Sequence, residues 1–329
     1  MQSKRRLDLQ LLEECNCRGS SSFVENRINN ILRRGANINF ANDVGRFPLW
    51  NARANSKLVS LLLENGADVN FVGCGGTTVL MIACERGDVD VVNALLKYGA
   101  DVNIKSKDNV TALWFASCCG HVDIVDILLL RRAENINDSL LVACENGRYQ
   151  VVEKLLQNGA SVQGRALWLA SRSGRTSIVD LLLQHGANVR HKSCSCGYTP
   201  LLIACKRGKH RIVKRLLQHG ALENNNTFNR ETPMSIAAAE GHRKVLHQLL
   251  RHDTEAVNHT NAKGNTPLMT ACRYGRVGAA ELLAKQDNCD LRILNDNCQN
   301  AVSLALRKQQ ASPLLRVLRI AQLKQKMKK

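Results

Sequence analysis

The residues best equipped for chemistry in this 329-residue chain are its 13 cysteines and 9 histidines. A thiolate or an imidazole can ligate zinc or attack an electrophile, provided that partners converge on it. The most compact grouping is His191-x-x-Cys194-x-Cys196, followed by Cys15-x-Cys17. Each lacks the second ligand pair of a four-coordinate zinc site, so both read as loop thiols. Cys84, Cys144, Cys205 and Cys272 stand sixty residues or more apart, each directly after an alanine, and Ser117 and Ser171 occupy the same context. A position filled by either Cys or Ser wants a small buried side chain rather than a ligand, and Cys118-Cys119 reads as structural too. The sequence holds no nucleophile elbow, no phosphate-binding glycine loop and no two-histidine zinc helix. It therefore predicts no catalytic residue, no metal and no cofactor.

Charge is the second chemical resource. Lys and Arg number 46 against 28 Asp and Glu, a formal charge of +18. Between Arg190 and Leu222 stand Arg190, Lys192, Lys206, Arg207, Lys209, Arg211, Lys214 and Arg215 with no acid; between Asn297 and Lys329 stand eight more cations, again with no acid. Such clusters can hold an acidic protein segment, nucleic-acid phosphates or an anionic membrane surface, or can simply keep a face solvated. Aromatic residues are only 4% of the chain, and no groove-entering module accompanies the charge, so sequence-specific reading of nucleic acid is not expected. The Lys-rich end is of the kind that serves in nuclear import.

The compartment follows from what is absent. No run reaches the ~18 to 20 apolar residues of a membrane span, and Met1-Gln-Ser-Lys-Arg-Arg leads into Leu7-Asp8-Leu9-Gln10 rather than an apolar leader. An odd number of cysteines in a long chain then suggests reduced thiols inside a cell, in cytoplasm or nucleus.

What must position these residues is a repeated element. Gly35-Ala-Asn-Ile-Asn, Gly66-Ala-Asp-Val-Asn, Gly99-Ala-Asp-Val-Asn, Gly159-Ala-Ser-Val-Gln, Gly186-Ala-Asn-Val-Arg and Gly220-Ala-Leu-Glu-Asn each follow a Leu-rich stretch. A second anchor recurs as Thr78-Val-Leu-Met, Thr111-Ala-Leu-Trp, Thr199-Pro-Leu-Leu, Thr232-Pro-Met-Ser and Thr266-Pro-Leu-Met. Threonine offers an N-cap oxygen and proline suits the first helical position. A short helix is predicted from each, closed by a glycine such as Gly87, Gly147 or Gly208. A second helix follows with apolar pairs, as in Ile212-Val213 and Leu216-Leu217. One such pair cannot hide its apolar stripe alone, so the repeats must stack.

With these anchors in register over roughly residues 7 to 320, the chain resembles the ankyrin repeat family, whose repeat of ~33 residues is a β-turn and two antiparallel helices. The resemblance implies an all-α solenoid of about nine or ten helix pairs with β-turn fingers. Successive anchors at 47, 78, 111, 138, 165, 199, 232, 266 and 300 show two steps of only 27 residues. Fingers are accordingly expected to be missing at Glu134–Leu140 and Ala160–Ala166. The family's histidine after Thr-Pro-Leu is absent, and Trp50, Trp114 and Trp168 take that place in three repeats as expected core residues. Residues 1–40 are expected to form an N-terminal cap, 41–293 the array, and 294–329 a C-terminal cap with a basic tail.

The resemblance further implies a non-enzymatic scaffold or adaptor. In the family the two residues after the small pair of helix one face the concave, partner-binding side, which nominates Arg86, Arg172, Lys206, Arg207, Arg273 and Tyr274, with Lys209, Arg211, Lys214 and Arg215 as a neighbouring basic patch. The expected partner is an acidic protein and the expected state a monomer. The alternatives are nonspecific RNA or DNA binding through 190–222 and 297–329, and a substrate adaptor of a ubiquitin ligase, for which Ser312–Leu318 is a faint recruiting box. Asn70, Asn103 and Asn258 sit where family members undergo asparaginyl hydroxylation.

Overall fold

In a computed structural model the structure describes residues 2–16, 22–192, 197–221, 227, 230–306 and 311–327. Its α-helices come in pairs: α1 (Gln2–Glu14) with α2 (Ser22–Arg33), α3 (Pro48–Asn51) with α4 (Ser56–Glu64), α5 (Val79–Arg86) with α6 (Val89–Lys97), α7 (Ala112–Cys119) with α8 (Val122–Leu130), and α9 (Ile136–Asn146) with α10 (Tyr149–Gln157). The series continues with α11 (Ala166–Ser173) and α12 (Thr176–Gln184), α13 (Pro200–Lys206) and α14 (His210–Gln218), α15 (Pro233–Glu240) and α16 (Arg243–His252), α17 (Pro267–Arg273) and α18 (Val277–Ala284), and α19 (Ala301–Leu306) and α20 (Ala311–Met327). Among the described residues there is no strand. Contacts gather into two compact bodies, Met1–Ser161 and Val162–Lys329.

Within each body the odd-numbered helices stack on one another and the even-numbered helices form a second layer, as α5 on α7 on α9 and α12 on α14 on α16 on α18. The apolar pairs anticipated from the sequence fill the space between layers. Val91, Val92 and Leu95 of α6, and Ile212, Val213 and Leu216 of α14, are all at most 3% exposed. Thr78, Thr199, Thr232 and Thr266 each cap their helix by accepting the N–H three residues on. Thr111 departs from them: its φ of −111° lies beyond the −71° to −96° of the four capping threonines, and its hydroxyl reaches no partner. Gly87, Gly120, Gly147, Gly174 and Gly241 close their helices in the left-handed conformation. At α13 the C-cap is Arg207, one residue before the expected Gly208.

The small position after alanine is buried as expected, and its occupants differ in what burial costs them. Burial pushes the Cys144 and Cys272 thiols up to about 12, and those of Cys84 and Cys205 higher still, which keeps them as inert, neutral groups. The Ser117 and Ser171 hydroxyls are buried with no hydrogen-bond partner. An unpaired buried hydroxyl costs about 1 to 3 kcal/mol. Ser117→Ala and Ser171→Ala are therefore expected to stabilise the chain by about 1 kcal/mol each, read as a rise in the urea midpoint at constant slope. A fall in the midpoint would mean that the hydroxyls are bonded in solution.

Two devices tie successive repeats together. Asn39, Asn70, Asn103 and Asn137 in the first body, and Asn258 in the second, each accept a backbone N–H of the next repeat, at Asp68, Asp101, Glu134, Ser161 and Asp290, over 2.8–2.9 Å. The second device caps a helix from its neighbour. Arg148 Nε donates to Cys118 O and Arg276 Nε to Ala239 O, both over 2.9 Å, while His121 and His242 place Nε2 3.1 Å from Glu85 O and Lys206 O. A cation or polar donor at a helix C-terminus satisfies orphan carbonyls and complements the helix dipole.

Candidate partner-binding surface

Fingers and helix-one ends carry the exposed side chains that can meet a partner. Among the described residues six fingers share one hydrogen-bond pattern, Asn42 to Arg46, Gly73 to Thr77, Ser106 to Val110, Thr227 to Glu231, Asn261 to Asn265 and Asn295 to Gln299. In each, the first N–H donates to the fifth carbonyl and the fourth residue has positive φ. Gly45, Gly76 and Gly264 take that position cheaply; Asn109, Arg230 and Cys298 take it without glycine's freedom. The expected gaps are present: only residues 131–135 join α8 to α9 and 158–165 join α10 to α11, against 98–111 between α6 and α7.

The nominated side chains fall into different environments. Lys206, Arg207, Arg273 and Tyr274 are exposed at the ends of α13 and α17 in the second body. Lys206 holds its ammonium 5.1 Å above the Tyr198 ring. Arg273 and Tyr274 border a groove of about 360 Å³ lined also by Glu231, Ser235, Asn261 and Lys263, with Tyr274 56% exposed. Arg172 is half-buried, its guanidinium 5.0 Å from the centroid of the Trp168 ring. Arg86, in the first body, pairs with Asp88 at 2.7 Å.

The basic patch is likewise divided. Arg211 and Lys214 are exposed on α14, whereas Arg215 pairs with Asp180 at 3.2 Å. Lys209 is half-buried, its aliphatic chain covering Gly174 at the place where a Cβ would stand 2.9 Å from Cε. Of the tryptophans only Trp168 is buried; Trp50 and Trp114 are half-buried, a departure from the expected core placement. Each partly open ring has neighbours close by, Trp50 with Phe47 and Arg53 and Trp114 with Phe115.

Among the described residues no three His, Cys, Asp or Glu side chains converge as metal ligands; Cys17, Cys194 and Cys196 lie outside the described residues, as do Arg307, Lys308, Lys328 and Lys329. Among the described residues no helix is long and apolar enough to cross a membrane.

A family model described as ankyrin repeats, three copies to the model, matches residues 18–106, 53–139, 99–166, 167–261 and 221–296, together most of the chain. The chain belongs to the ankyrin repeat family. Ankyrin repeats are protein-interaction modules and are typically non-enzymatic. In this ankyrin array the side chains of Asn70, Asn103 and Asn258 are engaged in bonds between repeats. Those joints, and the donors at His121, Arg148, His242 and Arg276, were not visible in the sequence, because each pairs a side chain with a neighbour's backbone.

Proposed function

We propose that the protein is a monomeric scaffold or adaptor that holds an acidic protein segment against the helix-one ends of its second body, at Arg172, Lys206, Arg207, Arg273 and Tyr274, with Arg86 offering a lesser contact in the first body. The observation that supports this most is the groove beside Arg273 and Tyr274. It joins an exposed aromatic ring, suited to anchoring a partner, with two cations, Lys263 and Arg273, against a single acid, Glu231. A ligase-recruiting role for Ser312–Leu318 has less support, because Leu314 and Leu318 are buried and α20 packs on α18 and α19.

The test is fluorescence anisotropy with labelled Asp/Glu-rich peptides containing one aromatic residue. Arg273→Glu with Lys206→Glu is expected to weaken binding about tenfold, a loss of about 1.4 kcal/mol. Equal affinity for parent and variant would refute this site.

A further inference from the structure

The outer helices of the second body carry a charge pattern that a partner at the helix-one ends does not use. α14 reads HRIVKRLLQ and α16 reads RKVLHQLLRH, with six Arg or Lys, three His and no acid between them. Each of the other second helices from α4 to α18 contains an acid, at Glu64, Asp90, Asp123, Glu153, Asp180 and Glu281.

Packing puts the six cations on one surface. Ile212, Val213, Leu216 and Leu217 of α14 and Val245, Leu246, Leu249 and Leu250 of α16 are buried, and the two helices pack against each other. Arg211, Lys214, Arg215, Arg243, Lys244 and Arg251 are all exposed. Only Arg215 has a carboxylate within ion-pair distance among the described residues, Asp180 at the edge of the patch. At the other edge Glu281 is held by Lys285 at 2.7 Å, while the Arg243 stem lies over Gly278, where a Cβ would come within 2.8 Å of Cδ.

We propose that the α14–α16 face is a sequence-independent binding surface for nucleic-acid backbone. Four of the six cations are arginine, whose forked guanidinium matches phosphate oxygens. Stacked helices ~8 to 10 Å apart spread these charges over two rows rather than one. Neither helix exposes a large apolar side chain, so the face lacks the anchors of a membrane-lying helix. The surface is separate from the groove at Arg273 and Tyr274, so the two proposals stand or fall independently.

The experiment titrates the full chain against a short labelled duplex and a single strand of equal length, from low to physiological salt. Five engaged phosphates give a slope of log affinity against log salt of about −4.5 on duplex and about −3.5 on single strand. Lys214→Glu, Lys244→Glu and Arg251→Glu together are expected to cut the duplex slope to about −1.8 and to weaken low-salt binding at least about tenfold. Lys206→Glu with Arg273→Glu should leave the slope unchanged. Glutamine at the same three outer positions should act in the same direction, which guards against misfolding of the charge-reversed chain. An unchanged slope in the outer-face variant, no binding at low salt, or binding only to phosphatidylserine vesicles would each overturn the proposal.

Discussion

Leu216→Ala is expected to destabilise the second body by about 2 to 5 kcal/mol, the range for removing a fully buried leucine side chain and leaving part of its volume empty. Leu216 is 0% exposed on α14, which packs on α13, α12 and α16. The helix itself should survive, because alanine is the best helix former. The loss is felt at interfaces, and a stack of repeats is held together by its interfaces. Urea unfolding followed by circular dichroism should shift its midpoint and broaden into two steps, with amide exchange accelerated first around α14. A loss below about 1 kcal/mol would show that the neighbouring leucines close the cavity.

The second large effect falls on a finger. Gly76 has φ +77°, and a Cβ there would stand 2.8 Å from Lys107 N and 3.1 Å from Ser106 C, both backbone atoms of the next finger. That backbone is itself fixed, since Lys107 N donates to Gly75 O over 3.0 Å. Alanine at 76 meets the left-handed penalty of about 1 to 2 kcal/mol and a contact that no rotamer relieves, for a total of about 2 to 4 kcal/mol. Gly75 supplies the control, with φ +78° and nothing within 4 Å. Gly75→Ala should cost only the conformational part. Equal melting temperatures for the two variants would mean that the fingers separate freely.

The helix pairs were legible because their anchors repeat and each anchor has one local cause: a capping threonine, a left-handed glycine, an apolar pair. Thr111 shows where that logic stops, since its φ of −111° lies only 15° from the −96° of the capping Thr78 and its hydroxyl is nevertheless stranded. The missing fingers at 131–135 and 158–165 were legible as arithmetic on anchor spacing. The basic character of α16 was not, because Glu240 and Asp253 flank it in sequence and mask a helix that is free of acids. Lys209 and Arg215 looked like free cations; one covers Gly174 and the other meets Asp180, contacts made across repeats that no local pattern encodes.

The asparagine joints have a consequence for how such a chain can change over generations. Each asks its neighbour only for backbone groups: a peptide N–H, which every residue except proline supplies, and at Asn70, Asn103 and Asn258 a carbonyl as well. A duplicated or transplanted repeat thus arrives already able to donate to the bond, whatever side chains it brings. For this bond a seam needs no matching side chain on the other edge, so only the packed helix faces must stay complementary while the exposed faces are free to diverge toward new ligands.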